Sequence, residues 1–307
     1  MARIAYLGPE GTFTEAALLQ MVARGVIPCT ETKEPIAADG AAAALQQVRD
    51  GGADYACVPI ENSIDGSIVP TLDSLAGGTP LRLFAELTLD VAFSIAVRAD
   101  TSAADVRAVA AFPVAAAQVR NWLAAHLPGA NVVPANSNAS AAIDVAEGRA
   151  DAAVTTSLAV QRYGLTELAA GVVDEPNART RFVLAGRPAR PPARTGADRT
   201  SVVLRLDNRP GALVEALTEF GIRDIDLTRI ESRPTRTELG TYVFFLDCVG
   251  HIDDIAVAEA LKALHRRCVD VRFLGSWPTG SVTGAVPPEM DEADHWLQGL
   301  RDGEVQS

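Results

Sequence analysis

Ile4-Ala5-Tyr6-Leu7-Gly8-Pro9-Glu10-Gly11-Thr12-Phe13-Thr14-Glu15 passes in one short stretch from an apolar run, through a glycine-bounded turn, into the start of a helix. Ile4–Leu7 has the apolar character of a buried strand. The glycines permit a tight turn, and Thr12 or Thr14 can cap a helix over Glu15–Arg24. A buried strand feeding a helix is the repeating unit of α/β domains. The same stretch, beginning at Arg3, reads as folded structure and not as the apolar segment of a leader peptide.

The alternation continues outward. Further strands are expected at Tyr55–Ile60, Leu81–Val97 in two pieces, Val109–Phe112, Val132–Pro134, Ala152–Thr155 and Arg181–Leu184. Helices are expected between them at Ala41–Asp50, Val69–Ala76, Val114–His126, Ala139–Glu147 and Ser157–Tyr163. This predicts an α/β domain over residues 1–186, with mostly parallel strands covered by helices. The long extended segment near 81–98 and a last strand that arrives after the β/α run is complete favour two lobes over a single sheet. A chain that crosses between lobes and returns makes a cleft for a small ligand.

Proline and arginine without apolar periodicity, at Arg187-Pro188-Ala189-Arg190-Pro191-Pro192-Ala193-Arg194, predict an extended, solvated linker over 187–200. Residues 201–278 then read as Ser201–Leu206 strand, Gly211–Phe220 helix, Ile225–Ser232 strand, Thr241–Val249 strand, Asp253–Arg266 helix and Val269–Gly275 strand. That order is the ferredoxin-like βαββαβ pattern. Such domains pair through their sheet edges, so a homodimer or homotetramer is expected. Residues 279–307 form an acidic tail, expected to be flexible, in which His295-Trp296-Leu297 could dock locally.

The chain has 307 residues, of which 48% are hydrophobic, enough to bury a core in two ordinary domains. Its 27 basic and 39 acidic residues give a net charge of −12, which excludes nucleic acid or an anionic membrane as a main partner. No run approaches the ~18 apolar residues of a membrane span. Cys29, Cys57, Cys248 and Cys268 lack Cys-x-x-Cys spacing, as suits reduced thiols in a cytoplasmic protein better than a disulfide or zinc framework.

Three segments carry candidate chemistry. A helix N-terminus after Gly8–Thr14 suits a carboxylate or phosphate, although its spacing is neither G-x-G-x-x-G nor a P-loop. The same residues also serve as a plain strand-to-helix turn. Glu61-Asn62-Ser63, followed by Asp65-Gly66-Ser67, places donors and acceptors where a buried strand leaves its sheet, or forms an Asx-type turn. Asn177-Ala178-Arg179-Thr180-Arg181-Phe182 offers a hydroxyl and a guanidinium on opposite sides of an extended chain, or an exposed arginine pair. Only His126 lies in the first 186 residues, which disfavours histidine acid/base catalysis and histidine metal sites.

These segments together resemble the prephenate dehydratase family, from about residue 3 to residue 278. The resemblance is carried by Gly8-Pro9-Glu10-Gly11-Thr12, by Glu61-Asn62-Ser63 with Gly66-Ser67, and by Thr180-Arg181-Phe182. Gly211-Ala212-Leu213 and Glu231-Ser232-Arg233-Pro234 resemble the family's ACT regulatory module. Where many relatives have Ser-His-Pro-Gln-Ala, this chain has Ala111-Phe112-Pro113-Val114-Ala115; Gln118 fits the pattern, but the polar contacts are not carried over.

The resemblance implies a two-lobed, periplasmic-binding-protein-like catalytic domain and an ACT domain. It implies conversion of prephenate to phenylpyruvate, water and carbon dioxide, with no cofactor or metal and with phenylalanine as allosteric effector. Thr180, Arg181 and Phe182 are the implied catalytic residues. Thr180 would bond the leaving hydroxyl, Arg181 with the Gly11-Thr12 turn would anchor carboxylate, and Glu61, Asn62 and Ser63 would complete the substrate site. Asn208, Gly211, Ala212, Leu213, Glu231, Ser232, Arg233 and Pro234 are the implied effector residues. Arogenate dehydration and a non-catalytic small-anion sensor are the alternative readings.

Overall fold

The computed structural model describes residues 1–28, 33–235, 240–280, 284–287 and 291–303. Cys29 and parts of the expected tail lie outside the described residues. The chain forms two compact units: residues 1–74 with 87–185, and residues 75–86 with 186 onward. The expected continuous domain over 1–186 therefore gives up residues 75–86 to the second unit.

The first lobe begins with β1 (Ala2–Leu7), α1 (Phe13–Ala23), β2 (Lys33–Ala38), α2 (Ala41–Arg49), β3 (Tyr55–Asn62) and the short β4 (Gly66–Ser67). Next come α3 (Val69–Ala76) and β5 (Arg82–Asp90). The chain then enters the second lobe through β6 (Phe93–Val97), a 3-10 turn at Ala103–Asp105, β7 (Ala108–Ala111), α4 (Pro113–Gln118) and α5 (Arg120–His126). The second lobe continues with β8 (Asn131–Pro134), α6 (Asn138–Ala146), β9 (Ala152–Thr155), α7 (Ser157–Arg162) and β10 (Thr166–Val172). β11 (Arg179–Gly186) returns to the first sheet.

The first sheet has the order β2-β1-β3-β11-β5, and the second has β10-β6-β9-β7-β8. β1 lies parallel to β2 and β3, and β7 lies parallel to β8 and β9. β6 runs antiparallel to β9 and β10, so the second sheet is mixed where parallel strands were expected. That reversal belongs to the segments that carry the chain between lobes. The core of the second lobe packs Phe93, Ile95, Val97, Val109, Val119 and Val154.

Three strands were not anticipated: β2, β10 and the two-residue β4 that pairs with β3. β2 and β10 are edge strands with mostly exposed side chains, so they lack the apolar run that marks a buried strand. The single helix expected over Val114–His126 breaks at Val119, which has φ −125° and ψ 13°. Asp174 explains the break. Its amide donates to the Gln118 carbonyl, and its carboxylate accepts the Asn121 amide as a cap for α5.

The second unit contains β12 (Asp198–Arg205), α8 (Ala212–Gly221), β13 (Leu227–Pro234), β14 (Tyr242–Val249), α9 (Ile255–Arg267) and β15 (Asp270–Pro278). Its antiparallel sheet has the order β13-β14-β12-β15, the ferredoxin-like arrangement. Val202, Leu204, Phe220, Leu246 and Leu264 fill the core between sheet and helices. Residues 187–190 and 193–196 are exposed, but β12 takes in Asp198, Arg199 and Thr200 from the end of the expected linker. Parts of the tail take on local structure. Ala285 donates to Asp226, Pro287 is buried, and Asp291–Arg301 form α10, although Trp296 and Leu297 remain exposed.

Candidate active site

A cleft of about 900 Å³ opens between the two lobes of the first unit, a size suited to a small-molecule site. The β1–α1 turn contributes Thr12 and Phe13, β3 contributes Asn62, and β11 contributes Thr180 and Phe182. The second lobe contributes Phe112, Gln118, Ser137 and Asn138. Among the described residues lining the cleft there is no lysine, arginine or histidine. Positive potential for an anion must therefore come from amides. In the first turn of α1, Thr12 takes the Glu15 amide, while the first main-chain bond is Ala16 N–H to Thr12 O. The Phe13 and Thr14 amides remain as the helix's orphan donors at the cleft.

Thr180 and Asn62 form the most directed polar pair in the cleft. Asn62 Oδ1 accepts the Ile64 and Asp65 amides at 2.8 and 3.0 Å, which closes an Asx turn and fixes the side-chain amide. Asn62 Nδ2 is thereby aimed at Thr180 Oγ1, to which it donates at 3.0 Å. With its oxygen accepting from Asn62, the buried Thr180 hydroxyl has its proton available for donation into the cleft. Phe182, two residues along the same strand, lies on the same face and supplies an apolar wall.

The remaining expected residues support this pair from outside the lining. Arg181 points to the other face of β11, where Nε and Nη2 reach Glu61 Oε2 at 3.1 and 3.0 Å. Strand alternation puts Thr180 in the cleft and Arg181 on the opposite face with Glu61, so neither Arg181 nor Glu61 is among the residues that line it. Ser63 also lies outside the lining. Its hydroxyl donates to Asn177 O and accepts from Arg179 N, and its amide donates to Arg179 O, pinning the start of β11. Gly11 donates its amide to Glu15 Oε2 at 2.5 Å and receives the Thr156 hydroxyl on its carbonyl at 2.5 Å.

Two second-lobe amides complete the cleft. Gln118 is buried with Oε1 unpartnered among the described residues, and Asn138 Oδ1 is likewise unpartnered. Asn138 went unnoticed because an asparagine that opens a helix is common; only the cleft distinguishes it. Phe13 packs edge-to-face on Phe93, with ring centroids 5.6 Å apart, and ties the α1 turn to the second lobe.

In the second unit, Asn208 precedes a turn in which Gly211 has φ +84° and starts α8, followed by Ala212 and Leu213. Arg209 pairs with Glu215 across this turn and holds its carboxyl below the usual range. Glu231, Ser232, Arg233 and Pro234 form the far end of edge strand β13, opposite Phe245, Phe244, Val243 and Tyr242. The hollow beside the turn measures only about 10 Å³, room for one water.

Residues 4–190 match the sequence profile of the prephenate dehydratase family, and residues 200–266 match that of the ACT domain. The chain belongs to the prephenate dehydratase family. It is 72% identical to a prephenate dehydratase of Mycolicibacterium vanbaalenii over 310 residues, covering 99% of each. Among solved structures it is similar to an Arthrobacter aurescens prephenate dehydratase in complex with L-Phe. That likeness has a TM-score of 0.88 and 39% identity, and covers 98% of this chain and 100% of the other. The quorum quenching acylase GqqA shares the fold at TM-score 0.77 and 30% identity, covering 90% and 98%. No described helix is long and apolar enough to cross a membrane. As a prephenate dehydratase with an ACT domain, the chain has an enzyme's cleft in its first unit and a regulatory module in its second.

Proposed function

We infer that the chain converts prephenate to phenylpyruvate, carbon dioxide and water, as a carbon–oxygen lyase, and that phenylalanine inhibits it through the ACT domain. The observation that carries this is the buried Thr180 hydroxyl, held by Asn62 with its proton available to an apolar cleft. In the reaction the ring carboxylate's C–C bond breaks, and its electron pair enters the ring. The C4–O bond breaks on the far side as the hydroxyl takes a proton from Thr180, which recovers one from solvent. Aromatisation drives the step, so neither a strong base nor an electron sink is required.

The cleft suits this division of labour. The Phe13 and Thr14 amides receive the carboxylate that stays. Phe182 and Phe93 surround the carboxylate that leaves, and tight pairing there would lower the ground state as much as the transition state. Gln118 and Asn138 offer acceptor oxygens to the ring hydroxyl or to ordered water. The functional division we propose is catalysis in 1–186, a linker over 187–200, regulation in 201–278 and an acidic tail over 279–307. Asn208, Gly211–Leu213 and Glu231–Pro234 form the effector site with a second copy of the chain, since one copy's hollow holds only a water. Half-exposed Ile230 on edge strand β13 and Tyr242 on its neighbour β14 support pairing of a cytoplasmic homodimer or homotetramer.

Phenylpyruvate formation from prephenate, followed with and without phenylalanine, tests the reading. Turnover that phenylalanine suppresses is expected; no turnover of prephenate by the folded full-length chain overturns it.

A further inference from the structure

The anion-receiving turn of α1 contains an anion of its own. Glu15 stands in that first turn, 1% exposed, with one carboxylate oxygen on the Gly11 amide. A fixed negative charge there opposes the positive pole of the helix, and a second carboxylate arriving at the Phe13 and Thr14 amides would meet repulsion. Arg162 is the partner. Its Nη2 contacts Glu15 Oε1, and its Nη1 lies 3.1 Å from Glu10 Oε2.

Arg162 comes from the other lobe. It ends α7, which packs on β6, β10 and α6 of the second sheet. The contact around it is close. The Tyr163 hydroxyl donates to Glu10 O at 2.9 Å, and a Cβ on Gly11, which has φ +88°, would lie 2.9 Å from Ala159 Cβ. The buried Gln118 side chain, with Oε1 unpartnered among the described residues, faces the same cleft from that lobe, an independent sign that a polar ligand completes it.

We propose that Arg162 is a positioning residue for the substrate: reaching over from the second lobe, it neutralises Glu15 by direct contact behind the turn, so that the first turn of α1 accepts a carboxylate. This rests on the reading of the cleft as a prephenate site. The negative character of the pocket behind the turn shows independently in Tyr6, whose phenol is pushed above its ordinary range by burial first, then by Glu15 and Glu10.

The test is a double-mutant comparison in the full-length enzyme, with KM and kcat for prephenate read separately. Arg162→Gln leaves Glu15 charged and uncompensated, and KM should rise about tenfold while kcat stays within about twofold. Glu15→Gln combined with Arg162→Gln removes the charge but keeps an amide oxygen for Gly11, and KM should return to within about threefold of the parent. Arg162→Lys keeps the charge and should also stay within about threefold. A purely structural clasp predicts that the double variant is no better than Arg162→Gln, and that result overturns the proposal. So does an unchanged KM in Arg162→Gln. Should Arg162→Gln not fold, the proposal requires the charge-free double variant to fold and bind, and a weak-binding double variant sinks it. A parent enzyme inactive on prephenate removes the functional reading first, and this inference with it.

Discussion

Thr180 and Arg181 are neighbours in the chain but face opposite sides of β11, because an extended strand turns successive side chains to opposite faces. Thr180→Ala removes the proposed proton donor, and kcat for phenylpyruvate formation should fall about 10²–10⁴-fold with KM little changed. Turnover within threefold of the parent would end that assignment. Asn62→Ala leaves the hydroxyl in place but loses its orientation, so a fall in kcat of about tenfold is expected in the same assay. Arg181→Lys should act on stability instead. Loss of the Nε contact to Glu61 should cost about 1 kcal/mol in chemical denaturation, discounted because Glu61 is half-exposed, with KM near the parent value. A raised KM at unchanged stability would put the guanidinium on the substrate after all. Thr180, Asn62 and Thr12, singled out from their motifs, all line the cleft. That Arg181, Glu61 and Ser63 fall outside the cleft lining was not legible, because a motif gives order along the chain but not the side of the strand.

At the scale of elements, legibility followed apolar patterning, which for most strands means burial, although exposed β8 was read from its valines. β1, β3, β9 and β11 are apolar because they are covered, and they stood out in the sequence. β2 and β10 are held by main-chain pairing at sheet edges, which leaves no apolar pattern to read. The break between α4 and α5 comes from Asp174, some fifty residues further on, and no local propensity marks it. β15 offers a direct test of packing by backbone alone. Gly275 sits where the β12–β15 register shifts, with φ +148°, and a Cβ there would lie 2.4 Å from Leu83 O. Gly275→Ala should therefore lower stability by about 3 kcal/mol in urea denaturation. A change below ~0.5 kcal/mol would mean that the strand gives way without cost.

For the whole molecule, residues 75–86 lie in the second compact unit although family resemblance runs through them as part of the catalytic domain. Glu86, Arg199, Asp247 and Trp277 share one largely buried polar network there: Arg199 lies 3.1 Å from Glu86 Oε2, to which Trp277 Nε1 donates at 3.0 Å, and 3.8 Å from Asp247. A regulatory test by cutting the chain after residue 200 would strip this strand of its cover. Substitution is cleaner: Asn208→Ala should raise the phenylalanine concentration for half-inhibition several-fold while basal turnover is retained, and an unchanged inhibition curve would move the effector site elsewhere. The thiols make a second prediction at this scale. Burial pushes the Cys57 and Cys248 thiols up to about 12, from an ordinary value of 9.0. Above about pH 9 the unfolded chain releases those protons while the fold retains them, so stability is intact below pH 9 and falls as pH rises toward 12. Urea midpoints at pH 8 and pH 10.5 should show this fall, and Cys57→Ala should make it shallower; an equal slope in both proteins would remove Cys57 from the account.

The opening stretch, Ile4 to Glu15, determined by itself that a buried strand turns through glycines into a capped helix, and the alternation beyond it determined two α/β lobes and a βαββαβ module. These follow from local patterning, since burial on one face and a turn's backbone demands are written in adjacent residues. Tertiary structure alone decided what Glu15 meets. Thr156 and Arg162 close on that turn from about 145 residues away, and Asp174 and Arg181 take partners equally invisible along the chain. Side-chain pairing across lobes depends on how two sheets are brought together, and that is a property of the packed molecule.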